Sequence, residues 1–184
     1  MIVIISGTNR PGSNTRKVTA HVEATYKALG IKTHLLDLTE LPPEIFSPSS
    51  YGEKPEAFKK KFTDAILASD GVVVVTPEYN GSVPGILKYF IDMLPFPESF
   101  EHRPVCFVGL AAGIWGALRP VEQLQAIFGY RNAFIFPERV FMPGIGKLLN
   151  EAGQFTSPDM EKRLKSQAEG YVSFVEKLRG KKLR

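Results

Sequence analysis

A doubly wound α/β fold is what this sequence predicts: one parallel five-stranded sheet with helices on both faces. Two observations carry that expectation. Short β-rich runs alternate with helical apolar stripes along the chain. One of those runs contains "VVVV" at 72–75, apolar toward both sides, as a central parallel strand buried on both faces must be.

The strands are read at 1–6 ("MIVIIS"), 33–38 ("THLLDL"), 71–76 ("GVVVVT"), 104–110 ("PVCFVGL") and 133–136 ("AFIF"), with 139–142 ("RVFM") as a possible continuation of the last. Helical spacing fills the gaps. Val18, Val22, Tyr26 and Leu29 form one stripe, and Phe58, Phe62, Ala65 and Ile66 the next. Val83, Ile86, Leu87, Phe90, Ile91 and Leu94 follow the i, i+3, i+4, i+7 pattern. Ala117, Val121, Leu124 and Phe128 come fourth, and the stripe from Met160 to Leu178 comes last. Each stripe reads as a core face. Such a βα series suggests the flavodoxin-like strand order 2-1-3-4-5. Ligands in such sheets bind outside the carboxyl ends of the strands, near the switch point between strands 1 and 3. The loops that matter are therefore 7–15, 77–82 and 111–116. There is no internal repeat, and residues 1–184 read as a single domain. The stretches 41–56 and 142–159 read as long loops.

Composition narrows the function classes. The chain has 184 residues, 43% hydrophobic and 23% charged, which suits one domain with a sizeable core. Its net charge of +4 could help to attract an anionic ligand. No dense Lys/Arg stripe exists outside "LRGKKLR" at the end, which reads as a solvated tail, so no nucleic-acid partner is expected. Cys106 is the single cysteine, which excludes an intrachain disulfide and a multi-Cys metal site; its apolar surroundings mark it as a core residue. No apolar run approaches the ~20 residues that span a membrane. Without a basic leader or a cleavage-like site, a cytoplasmic protein with no membrane insertion is expected. His21, His34 and His102 read as surface or structural residues.

The loop after the first strand, "GTNRPGSNTRK", is a Gly-rich turn opening a helix, and so an anion site. Gly7 and Gly12 have the spacing of a Walker loop, but Ser13 and Asn14 stand where its Lys and Ser/Thr belong. The pattern G-x-G-x-x-G is absent too. What remains is a set of short donors: the hydroxyls of Thr8, Ser13 and Thr15, the Asn14 amide and the Arg10 fork. These suit a terminal phosphate monoester held from several sides, and on this sheet they point to FMN. The plainer reading is a Ser13 helix cap beside a solvated arginine.

The second loop, "TPEYNGSVPGILK" from Thr76 to Lys88, follows the third strand and opens a helix with Pro84 near its first turn. Asn80 and Gly81 suit a tight turn presenting backbone groups to a planar ligand. This stretch resembles the NADPH-dependent FMN reductase family, the flavodoxin-like group of quinone, chromate and azo-dye reductases. The family motif T-P-E-Y-N-x-S-x-P-G-x-L-K is present residue for residue. The first loop follows the family's G-S-x-R-x-x-S-x-N more loosely. Thr8 replaces Ser, and Thr15 stands in the Asn slot with Asn14 one place earlier. Tyr89-Phe90 replaces the commoner Asn plus small residue, a change that bears on a subunit contact. A third motif is echoed by "AAGIWGALRP" at 111–120. The likeness covers about the first 140 residues.

The resemblance implies that Thr8, Arg10, Ser13, Asn14 and Thr15 surround the FMN phosphate. It implies that Pro77, Glu78, Tyr79, Asn80 and Gly81 line the isoalloxazine, and that Ala111, Ala112 and Gly113 approach its other edge. Trp115 either flanks the substrate side of the flavin or caps a helix or interface. The implied activity is ping-pong: NAD(P)H passes a hydride to bound FMN, and a quinone, flavin, azo or metal-ion acceptor then takes its place. No catalytic side chain is assigned, since the chemistry belongs to the cofactor. A homodimer or dimer of dimers is also implied. The competing reading is a flavodoxin-type electron carrier without NAD(P)H turnover, against which the basic net charge speaks.

Overall fold

The structure is a computed structural model and describes residues 1–183. Strands β1 (Ile2–Ser6), β2 (Thr33–Asp37), β3 (Gly71–Pro77), β4 (Pro104–Leu110), β5 (Phe134–Ile135) and β6 (Val140–Met142) form one sheet. Every pairing is parallel, in the order β2-β1-β3-β4-β5, with β6 also on β4. The expected order 2-1-3-4-5 is thus present, with a sixth strand. The edge strand is split because β5 pairs with Pro104 and Val105, whereas β6 pairs with Val108 to Leu110. Pro137 lies in the gap, where its missing N–H could not serve a continuous ladder.

Helices α1 (Asn14–Ala28) and α7 (Pro158–Arg179) cover one face; α2 (Glu56–Phe58), α3 (Asp64–Leu67), α4 (Gly85–Met93) and α5 (Leu118–Tyr130) cover the other, and α6 (Ile145–Leu148) follows β6. The strand period of two sorts the core. Val3, Ile5, Val72, Val74, Val105 and Phe107 face α4 and α5, while Ile2, Ile4, Val73, Val75, Cys106 and Val108 face α1 and α7. Cys106 is fully buried, and burial pushes its thiol far up, away from reactivity. Among the described residues no helix is long and apolar enough to cross a membrane.

Three regions differ from the expected picture. Between α2 and α3 the chain makes a π turn at Lys59–Thr63. Phe58, Phe62 and Ile66 are all buried at strict four-residue spacing, and a wider turn keeps such a repeat on one face where a helix of ~3.6 residues per turn would let it drift. The stretch 41–56 is largely 3₁₀ turns, with Ile45 buried and its carbonyl accepting from Tyr89 Oη at 2.6 Å. The basic tail is paired rather than merely solvated: Lys181 meets Asp70 at 2.7 Å and Lys182 meets Glu176 at 3.1 Å.

Tyr171 of α7 ties that helix to the sheet. Its buried hydroxyl accepts from Val72 N–H at 2.9 Å and lies 2.9 and 2.8 Å from the carbonyls of Val72 and Pro104. The space for it exists because residue 71 is glycine; a Cβ there would stand 2.6 Å from the hydroxyl oxygen. Tyr171→Phe strands buried polar backbone and is expected to cost about 1–3 kcal/mol in chemical denaturation. Gly71→Ala is destabilising alone, and the double variant loses less than the sum, because removing the hydroxyl makes room for the methyl.

Asp70 also receives the Met1 ammonium at 2.5 Å. Burial raises its carboxyl, but the hydrogen bonds from Lys181 and the ammonium outweigh that, so the net shift is downward. A depressed carboxylate stabilises the fold above its unfolded titration and loses that contribution as pH falls through the folded one. Denaturation midpoints from pH 6 to 2 should therefore fall less steeply in Asp70→Asn than in the parent chain.

Candidate functional site

The chain leaves β1, β3 and β4 at one edge of the sheet, and the three loops that follow enclose a cavity of about 370 Å³. This lies within the ~300–1,000 Å³ of ordinary small-molecule sites. Arg10, Ser13, Asn14 and Thr15 line it from the first loop, Pro77, Glu78 and Tyr79 from the second, and Ala111 and Ala112 from the third.

The first loop is shaped by Gly12, at φ +64°, and by Ser13, whose Oγ caps α1 by accepting from Arg16 N–H at 3.2 Å. An Nε–Oδ2 ion pair of 2.7 Å commits Arg16 to Asp37 at the end of β2. The Asn14 and Thr15 amides open the helix and have no i−4 carbonyl to bond; with the helix dipole they favour an anion. Arg10 remains exposed at the rim. Asn14 and Thr15 both line the cavity despite their shift relative to the family pattern.

Four of the expected residues are not in the lining. Thr8 is buried, its Oγ1 paired with Tyr79 Oη at 2.9 Å and accepting from Arg10 N–H at 3.2 Å, so it couples the first loop to the second. Asn80 (φ +51°) and Gly81 (φ +74°) form the tip of a two-residue turn. Tyr79 and Ser82 exchange both backbone bonds across it, at 3.1 and 3.0 Å. Gly113 is exposed, and its carbonyl accepts from Gly144 N–H at 3.2 Å.

The lining also includes Pro11, Gly12, Leu110 and Ile145. The first three adjoin residues already singled out. Ile145 comes from a stretch read as loop; its N–H donates to Ala111 O at 3.0 Å, so the segment after β6 anchors the third loop. Nothing local in the sequence marks it. Two residues of α5 brace the second loop from behind. Gln123 Oε1 accepts from Ser82 Oγ at 2.8 Å and from Val83 N–H at 3.1 Å. Arg119 Nη1 donates to Glu78 Oε1 at 2.8 Å. The other carboxylate oxygen, Glu78 Oε2, is buried without a hydrogen-bond partner. Trp115 is half exposed at the third loop, with the Arg119 guanidinium 5.7 Å from its ring centroid.

The chain is similar to known proteins in sequence and in fold. An NADPH azoreductase of a Bacillus species is 29% identical over 96% of this chain and 97% of its own. A quinone reductase of Pseudomonas putida is 31% identical over 83% of each. In fold, the chain is similar to the NAD(P)H:(acceptor) oxidoreductase FerB of Paracoccus denitrificans, with a TM-score of 0.80 and 24% identity over 96% of this chain and 97% of that one. The family model for NADPH-dependent FMN reductases matches residues 1–146, a span that contains every residue lining the cavity. The chain belongs to the NADPH-dependent FMN reductase family.

Proposed function

We propose that the cavity holds FMN, with its phosphate at Arg10, Ser13, Asn14 and Thr15 and its isoalloxazine against the second and third loops. One observation carries this: a helix-start anion loop and the two loops that follow β3 and β4 line the same cavity. The donor set fits a phosphate monoester. Thr8 acts through Tyr79 rather than on the phosphate. Asn80 and Gly81 shape the turn, and Gly113 shapes the third loop.

FMN held there would supply the redox chemistry of a ping-pong exchange between NAD(P)H and a quinone, flavin, azo compound or metal ion. The protein binds and orients. The small side chains of Ala111 and Ala112 let the third loop come close to a flat ring. Ile114 and Trp115, 80% and 52% exposed, offer apolar surface beside it for a planar substrate. No side chain is asked to move a proton. The chain is read as one cytoplasmic flavin-binding domain that works as a homodimer or dimer of dimers. The exposed aromatic rings Phe96 and Tyr130, stacked 6.2 Å apart at the end of α4 and on α5, support an oligomer.

The first test is an anaerobic absorption spectrum before and after NADPH. Flavin bands that bleach on addition support the reductase. Bands that bleach with dithionite alone favour an electron carrier, and no uptake of FMN removes the assignment. Arg10→Met is then expected to weaken FMN about tenfold, the loss of one charged hydrogen bond, while riboflavin, which lacks the phosphate, binds as before.

A further inference from the structure

The hydroxyl of Thr8 is buried between two groups. Arg10 N–H donates to its Oγ1 at 3.2 Å, and Tyr79 Oη lies 2.9 Å from the same atom. A hydroxyl has one proton to give and two lone pairs to offer. The Arg10 amide occupies one lone pair of Thr8. The Thr8 proton has a single acceptor among the hydrogen bonds of the described residues, Tyr79 Oη. Were Tyr79 to give its own proton to Thr8 instead, the Thr8 proton would be sealed in without an acceptor, which is unfavourable in a buried group. Thr8 therefore donates, and Tyr79 accepts.

That leaves the Tyr79 proton uncommitted. Thr8 is the only protein partner of the Tyr79 hydroxyl among the described residues. Tyr79 is half-buried and lines the cavity, whereas Thr8 lies outside the lining. The backbone around Tyr79 is fixed: it exchanges both bonds with Ser82, and Glu78 N–H donates to Leu110 O at 3.3 Å. Thr8 stands two residues before Arg10, so Tyr79 Oη rests against the first loop although its backbone belongs to the second. An anion held at Arg10 and the first amides of α1 would be the strongest acceptor at that end, because an ionised partner roughly doubles the strength of a hydrogen bond.

Resting on the FMN reading above, we propose that Tyr79 binds the phosphate of the flavin through its hydroxyl proton. Thr8 is its positioning residue: by accepting from the Arg10 amide and donating to Tyr79 Oη, it directs the Tyr79 proton toward the phosphate. The hydrogen bonds thus exchange the roles implied by the family resemblance, which places Thr8 at the phosphate and Tyr79 at the ring.

The experiment titrates the apoprotein with FMN and with riboflavin, which lacks the phosphate, by flavin fluorescence, with thermal melting alongside. Tyr79→Phe keeps the aromatic ring and removes the proton. It is expected to weaken FMN about ten- to a hundredfold, the range for one hydrogen bond to a charged group, and to leave riboflavin within about threefold. Thr8→Val is expected to weaken FMN in the parent chain but to add less than about twofold in a Tyr79→Phe background, because it acts only through the tyrosine. Thr8→Ser keeps the hydroxyl and should keep FMN binding. Equal losses of FMN and riboflavin in Tyr79→Phe overturn the proposal, since the contact would then be to the ring or the ribityl chain, and so does the absence of any loss. A Thr8→Val loss of the same size with and without the Tyr79 hydroxyl also overturns it, since Thr8 would then reach the phosphate directly. Failure of the parent chain to bind FMN at all overturns the FMN reading and this proposal together, whereas an FMN-binding parent whose preference for FMN over riboflavin survives in Tyr79→Phe overturns this proposal alone.

Discussion

Everything in the site depends on two adjacent parallel strands whose chains leave in opposite directions. From β1 the backbone turns to α1 on one face; from β3, its neighbour, it turns to α4 on the other. The crevice opens where they part. Gly7 closes its floor. Its N–H donates to Val75 O at 2.8 Å, and a Cβ there would stand 2.7 Å from that same oxygen. Only a glycine lets the first loop start tight against β3. From that point the anion-binding turn and the "TPEYN" turn rise side by side. The hydrogen bond between Thr8 and Tyr79 joins them across 71 positions of sequence.

On the proposed reading, this arrangement would divide the labour between the two ends of one ligand. The first loop offers charge and short donors, which suit phosphate and little else. The second offers a backbone turn and a carboxylate, and the third offers alanine and glycine. None of these groups needs to exchange a proton during turnover, in keeping with a cofactor that carries the reaction itself. What the protein must do is hold geometry, and its bracing is correspondingly extensive. α5 grips the second loop through Arg119 and Gln123, and the segment after β6 grips the third through Gly144 and Ile145.

What could be read in the sequence was what is encoded locally. The four consecutive valines of β3, the apolar stripes and the Asn80–Gly81 turn each state their conformation within a few residues. The elements and their order followed from them, whereas residues of the second and third loops were implied by the family resemblance. Gln123 and Ile145 escaped because they reach the site from helices whose placement is a tertiary outcome, and their residue types carry no signal of it; Arg119 fell inside the motif at 111–120 with no role assigned to it. Thr8 misled for a related reason: its hydroxyl suits a phosphate, but β1 delivers it beneath Tyr79, where that hydroxyl is already engaged. The split edge strand was half visible in Pro137. The π turn was hidden in a four-residue spacing that helix periodicity tolerates.

The entrance to the cavity differs from its floor. At the rim, Ile114 and Trp115 are exposed, and Ala112 and Gly113 contribute almost no side chain. In the ping-pong cycle proposed above, two chemically different substrates would enter one space in turn, so that space could not be closely fitted to either. Apolar surface suits this role, because a hydrophobic wall separates similar ligands only weakly, by about ten- to a few hundredfold. Buried polar groups enforce much sharper choices, since each leaves an unsatisfied partner when the wrong ligand enters. On the proposed reading, the chain sets its short donors at the phosphate and its exposed apolar residues where substrates would come and go. On that reading, strict choice of flavin and loose choice of acceptor would follow from the same fold.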